Sequence, residues 1–248
     1  MLSIETPEPN VVKAPGRLNQ ALIRLLMKRA TVTANETLAE GFRLITLEGA
    51  ALKDVVWTPG QKIQVAMGSA FLARTYTPIA WNAVTGRACI LGYSHGTGPG
   101  SAWLRDAVPD TRCDIFGPRA SLDTSRVDGP LAIFGDETSI GLAHALVHSD
   151  RTAPVVGSFE VGNVDACRTV MSKLALDGFS LIAREAGDAH LVEIEARLAP
   201  LAASGSAFVL SGKAGTIQRV RQTLKQLGVP SNRILSKAYW APGKTGLD

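Results

Sequence analysis

The hydrophobic rhythm of the chain changes once, near residue 127, and this change restricts the fold more than any other feature. Before it, from Thr31 to about Leu122, the pattern is short, β-rich and punctuated by turns. Ala30–Ala34 and Lys62–Met67 alternate apolar with polar residues, and Phe42–Leu47 does so in part. With Arg74–Tyr76, Arg87–Tyr93 and Arg112–Gly117 these make about six strands, and short strands separated by glycine and proline turns predict a closed antiparallel barrel. After the change, apolar runs alternate with helical stretches. The runs are Leu131–Gly135, Pro154–Phe159, Phe179–Ala183, Ala207–Ser211 and Arg233–Ser236; the helices are expected over Ser139–His148, Cys167–Leu176, Leu191–Ala203 and Ala214–Leu227. Strands without polar alternation, separated by helices, predict a parallel sheet covered on both faces. The expectation is a two-domain chain: an antiparallel β-barrel over residues 1–126, opened by a helix at Leu18–Ala30, and an open α/β sheet over 127–248.

Composition narrows the function classes. Lys and Arg number 26 against 22 Asp and Glu, an excess of +4. This bias is too small, and too free of basic runs interleaved with aromatics, to indicate nucleic acid; it is compatible with an anionic small ligand. The three cysteines, Cys89, Cys113 and Cys167, form no CxxC pair, which disfavours a structural metal and fits free thiols in a reducing compartment. Residues 1–16 are polar with three prolines, unlike a secretory signal, and the apolar run Ala21–Met27 is too short to span a bilayer. A cytoplasmic, monomeric protein is expected.

Three segments carry the chemistry. In Arg74-Thr75-Tyr76-Thr77, Arg74 and Tyr76 project from one face of a strand. The ring can cover a flat cofactor, the guanidinium can pair with a phosphate, and Thr77 offers an amide and a hydroxyl. Next, Gly96, Gly98, Pro99, Gly100 and Ser101 form a glycine-rich turn into a short helix, where backbone can approach a phosphate and free amides attract it. Ser101 is a candidate to cap that helix or to bond the phosphate; His95 is either a polar ligand or a structural histidine, and Trp103 reads as core. An aromatic strand followed by a phosphate turn suits a flavin dinucleotide. The third segment, Gly135-Asp136-Glu137-Thr138, follows the first apolar run, where a nucleotide site belongs in such a sheet. It is no GxGxxG and carries two acids, so it suits helix capping by Asp136 or Thr138 as well as a cofactor contact. His144 and His148 share a helix face without an intervening acid or a third ligand, so no metal site is expected there.

Taken in order, Trp57-Thr-Pro59-Gly60-Gln61, Arg74-Thr-Tyr76-Thr77, His95-Gly96-Thr-Gly98-Pro99-Gly-Ser101-Ala-Trp103, Gly117-Pro118-Arg119, Gly135-Asp136-Glu137-Thr138 and Tyr239-Trp240 resemble the siderophore-interacting protein family. These are flavin-dependent ferric-siderophore reductases of the ferredoxin–NADP reductase-like superfamily. The resemblance implies FAD held by Arg74, Tyr76, Thr77 and the Gly96–Ser101 turn, with Thr138, Tyr239 and Trp240 approaching the ring from the second domain. It implies reduction of a ferric siderophore to release ferrous iron, with no protein iron ligands. A basic docking pocket is then needed, and its candidates are Lys237, Lys244, Lys213 and Arg119. The chain departs from the family pattern at Ile79, where an arginine is usual, and at Ala120, Lys213 and Ala241. Two of these lie where a nicotinamide nucleotide is expected, so NADPH, NADH and reduced ferredoxin all stand as donors. The rival expectations are a flavin or ferredoxin reductase of the same architecture and a siderophore-binding protein with little redox turnover.

Overall fold

The computed structural model describes residues 27–69 and 72–244. Seven strands form the first sheet: β1 (Lys28–Ala39), β2 (Phe42–Glu48), β3 (Lys62–Ser69), β4 (Leu72–Tyr76), β5 (Pro78–Asn82), β6 (Arg87–Tyr93) and β7 (Arg112–Arg119). Their order is β4-β3-β7-β1-β2-β6-β5, antiparallel throughout. The two outermost strands, β4 and β5, are separated in sequence by Thr77 alone, so the sheet must curl until its edges meet. It is a barrel joined at the seam by covalent chain, and no β4–β5 ladder occurs among the described pairings. The expected helix at Leu18–Ala30 lies largely outside the described residues; its last three residues, Lys28–Ala30, belong to β1. The seventh strand, absent from the sequence expectation, is β5. Its opening proline and the break in alternation through Ala80-Trp81 hid it.

The barrel interior follows from the alternation: Val32, Ile45, Ile63, Val65, Ile90 and Ile115 are all fully buried in one cluster. Helix α1 (Pro99–Asp106) plugs this interior with Leu104. It settles on β6 because residue 92 is a glycine; a Cβ there would overlap the Leu104 side chain.

The second sheet is parallel: β8 (Leu131–Asp136), β9 (Val155–Val161), β10 (Phe179–Ala183), β11 (Ala207–Lys213) and β12 (Ile234–Trp240), in the order β10-β9-β8-β11-β12. The strand order reverses between β8 and β11, the doubly wound arrangement. Its apolar runs divide by alternation between two cores. Leu131, Ile133 and Val209 face α2 (Ile140–Val147) and α3 (Val164–Lys173). Phe134, Phe208 and Leu210 face α4 (Leu191–Ala196), α5 (Leu198–Ala203) and α6 (Ala214–Gln226). The single helix expected over Leu191–Ala203 is thus two, broken at Arg197. Pro200 has no N–H to bond Ala196, and it sits in the first turn of α5, where none is needed.

The first of these cores continues into the barrel. Phe42, Ile79 and Leu91 pack in one cluster with Ile140, Leu142 and Leu146, and Ile79 lies against Gly141 at the start of α2. The isoleucine that replaces an expected arginine is therefore a buried contact between the two sheets. Residues 120–130 connect the sheets, and Arg151 holds this strap by donating to the carbonyls of Val127 at 2.6 Å and Gly129 at 2.7 Å.

Candidate functional site

The seam of the barrel faces the carboxyl end of the second sheet, and a cleft of about 1120 Å³, including the space open at its mouth, lies between them. From the barrel, β4 contributes Arg74 and Tyr76, followed by Thr77; the loop before α1 contributes His95 and Gly98, and the first turn of α1 contributes Gly100 and Ser101. From the second sheet come Thr138, Lys237, Tyr239 and Trp240. Residues from five separate segments thus meet at one place, among them ten of the twelve cofactor-binding candidates. Gly96 opens instead onto a neighbouring groove with Arg43 and Arg105, and Pro99 begins α1 with its side chain exposed.

The barrel wall is built as a cradle. The Tyr76 hydroxyl reaches the Gly100 carbonyl at 3.4 Å, and its ring lies 5.6 Å from Trp103. Burial holds the phenol well above its ordinary pKa, the nearby Arg74 charge opposing only in part, so it stays protonated. A Cβ at Gly100 would press on Arg74 Cγ and the Tyr76 hydroxyl, whereas one at Gly98 would meet nothing: the first glycine closes the floor, the second leaves it open above. Ser101 does not cap α1. The cap position is Gly98, and the Ser101 hydroxyl donates to the His95 carbonyl at 2.9 Å. Arg105, one turn on, donates to Ser94 Oγ at 2.9 Å and the Gly96 carbonyl at 3.1 Å. The turn is therefore pinned from below, with the leading amides of α1 free of any side-chain cap.

An aromatic row crosses from the barrel to the second sheet. Tyr93, His95 and Trp240 follow one another with ring centroids 6.1 Å apart at each step. Tyr239 places its hydroxyl 3.3 Å from Thr77 Oγ1, spanning the two sheets, and burial pushes its phenol up to about 12. Trp240 is fixed by Asp136, whose Oδ2 accepts the indole N–H at 2.7 Å. The Asp136 Oδ1 accepts from the Thr138 amide at 2.9 Å and hydroxyl at 2.5 Å, which makes Asp136 the cap of the turn before α2. Burial raises the Asp136 pKa while the Thr138 and Trp240 donors pull it down. The carboxylate fits because residue 212 is a glycine at φ +101 whose missing side chain would occupy the same space.

Of the four basic candidates only Lys237 lines the cleft. Lys213 pairs with Asp188 at 2.7 Å. Arg119 bonds Gln64 and lies over the Phe116 ring at 4.3 Å, on the β3–β7 side of the barrel. Lys244 lies on the exposed turn after β12. The His144 and His148 rings lie 4.1 Å apart and tilted, each Nδ1 near a backbone carbonyl, and no metal-binding group of three ligands occurs among the described residues. Two contributions were not read from the sequence. Tyr93 was read only as a strand end; its alternation with Leu91 puts both on the cleft face of β6. Asp136 was read as a cap or a cofactor contact, and its hold on Trp240, 104 residues away, has no local signal.

An antiparallel barrel followed by a parallel sheet, with the cleft between, is the architecture of the ferredoxin–NADP reductase-like two-domain proteins. The chain aligns with a ferredoxin-NADP+ reductase from Plasmodium falciparum at TM-score 0.66 and 12% identity, covering 86% of this chain and 96% of that one. The siderophore-interacting protein resemblance also holds: that family's model matches residues 130–243. Among solved structures, the siderophore-interacting protein SipS from Aeromonas hydrophila aligns at TM-score 0.72 and 20% identity, covering 89% of this chain and 93% of that one. A siderophore utilization protein from T. fusca aligns at 0.68 and 19%, covering 90% and 95%. A search of curated proteins finds no match. No helix among the described residues is long and apolar enough to cross a membrane.

Proposed function

We propose that the chain is a flavin-dependent reductase that binds FAD in the cleft and reduces iron(III)–siderophore complexes, with residues 1–126 as the flavin domain and 127–248 as its partner domain. The observation that carries this reading is the convergence of Arg74, Tyr76 and the Gly98–Ser101 turn with Lys237, Tyr239 and Trp240 around one cleft. The donor set fits the cofactor: a guanidinium and uncapped helix amides for the phosphates, a protonated tyrosine beside them, and aromatic rings on the facing wall for a flat heterocycle. Bound there, FAD supplies the electrons that make ferric iron ferrous.

The chain's own residues then do the rest. Tyr76 and the α1 turn hold the dinucleotide against the barrel. Trp240 and Tyr239 close the opposite side and limit water. Lys237, in the cleft wall, attracts an anionic ferric chelate. Oxygen-donor chelators hold hard ferric iron tightly and ferrous iron weakly, so reduction alone releases the metal and the chain needs no iron ligands.

The test is to load the protein with FAD, reduce it anaerobically with NADH, NADPH or a reduced ferredoxin in separate arms, and add ferric siderophores with a ferrous-specific dye. Dye colour in step with return of the oxidised flavin spectrum supports the proposal. Reoxidation by quinones or ferredoxin but not by ferric chelates assigns the chain to the flavin or ferredoxin reductases. A protein that takes up no flavin yet quenches on adding ferric siderophore is a binding protein instead.

A further inference from the structure

In a sheet of this strand order a ligand's phosphates belong outside the carboxyl ends of the strands, at the reversal between β8 and β11. They need amides at a helix start and a nearby cation. Here the donors at that edge are turned onto the chain's own carboxylates. Asp136, fully buried at the end of β8, takes the Thr138 amide and hydroxyl and the Trp240 indole N–H. Glu137, 4% exposed, takes the amide of Gly162 just beyond β9 at 2.7 Å and the guanidinium of Arg184 just beyond β10 at 2.8 Å. Burial opposes the Arg184 charge, but Glu137 more than offsets it and keeps the guanidinium pKa above its ordinary value.

A second layer lies beneath. Glu160 in β9 accepts from the Thr216 hydroxyl at 2.6 Å and pairs with His190 Nε2 at 2.6 Å. The Glu185 amide donates to His190 Nδ1 at 3.1 Å, so the ring proton sits on Nε2, facing Glu160. Beyond β11, Lys213 is bound to Asp188. Arg184 Nε has no partner among the described residues, and it is itself buried. Apart from that nitrogen the network is paired, and a paired buried network is costly to open; the Thr138 and Gly162 amides and the Arg184 guanidinium that a phosphate would need are already taken by the two acids.

We propose that the carboxylates of Asp136 and Glu137 occupy the phosphate position of this sheet, so that the second domain docks no pyridine dinucleotide. It serves the cleft instead as the carrier of Lys237, Tyr239 and Trp240. The reductant is then recognised at the cleft itself rather than by its phosphates on the second sheet. The service to the cleft rests on the flavin reading above; the exclusion of phosphate rests on the edge alone.

Calorimetric titration of the full chain with ADP-ribose, with flavin occupancy read separately by absorbance, tests it. The flavin-loaded chain is expected to give no saturable heat up to millimolar ADP-ribose. Binding that appears only in the flavin-free chain and is unchanged by Lys213→Gln belongs to the cleft and agrees with the proposal. Glu137→Gln, which removes the charge and keeps the shape, is expected to raise affinity for inorganic pyrophosphate at least tenfold. Saturable binding to the flavin-loaded wild type overturns the proposal, as does flavin-free binding weakened by Lys213→Gln or Arg184→Gln. A chain that takes up no flavin defeats the cleft reading instead, and the flavin-free arms still decide this one.

Discussion

Individual side chains in this protein are set by contacts that cross from one sheet to the other, and this is where local sequence is least informative. Ile79 shows the point. Its arginine-like position in the motif said nothing of the core it enters with Gly141 and Leu142. Ser101 likewise sits where a cap is expected, but the loop folds back and its hydroxyl meets the His95 carbonyl. By contrast Arg74 and Tyr76 were legible, because two-residue spacing on a strand puts them on one face whatever the surroundings. A pH prediction belongs at this scale. Burial first, and then the neighbouring His148, hold the His144 pKa below its ordinary 6.5. The unfolded chain therefore binds this proton more readily, and stability present above pH 6.5 is lost as pH falls below it. Urea midpoints compared at about pH 7.5 and about pH 5.5 are expected to fall less in His144→Gln than in the wild type; an equal fall in both refutes the assignment.

Elements were legible where one period ran unbroken. Phe179–Ala183 was read with its observed bounds, and the helix of Ala214–Gln226 with one residue too many. Elements that depend on a break were not: β5 hides behind Pro78, and α4 and α5 are separated at a position three residues before Pro200. Strand ends were read short for a related reason. β11 runs on through Gly212 to Lys213 and β12 through Tyr239 to Trp240 because they pair with each other, with an irregularity at Gly212 and Lys213. The junction has a measurable consequence. Gly212→Ala places a β-carbon at φ +101 against the Asp136 carboxylate, and is expected to cost about 2–3 kcal/mol. It also loosens Trp240. Chemical denaturation together with indole fluorescence checks this; unchanged stability and emission mean that the Asp136–Trp240 bond does not depend on the glycine.

At the scale of the whole molecule, the change of rhythm near residue 127 announced a barrel and an open parallel sheet, and both are present. The rhythm did not announce that the two share a core. Phe42, Ile79 and Leu91 of the barrel are buried with the helices of the second sheet, and Arg151 holds the connecting strap. Scanning calorimetry is therefore expected to show one cooperative transition, and two separated transitions contradict a common core. The cleft arises at that same junction, from segments far apart in sequence, so its residues could be suspected singly but not seen to converge. The most direct test of the account is a titration of the flavin-free protein with FAD, followed by flavin absorbance and by quenching of tryptophan emission. The account predicts saturation at one FAD per chain, with Tyr76→Ala weakening binding about tenfold through loss of about 1.4 kcal/mol of ring contact. No saturable binding to the wild type, or equal affinity in Tyr76→Ala, contradicts it.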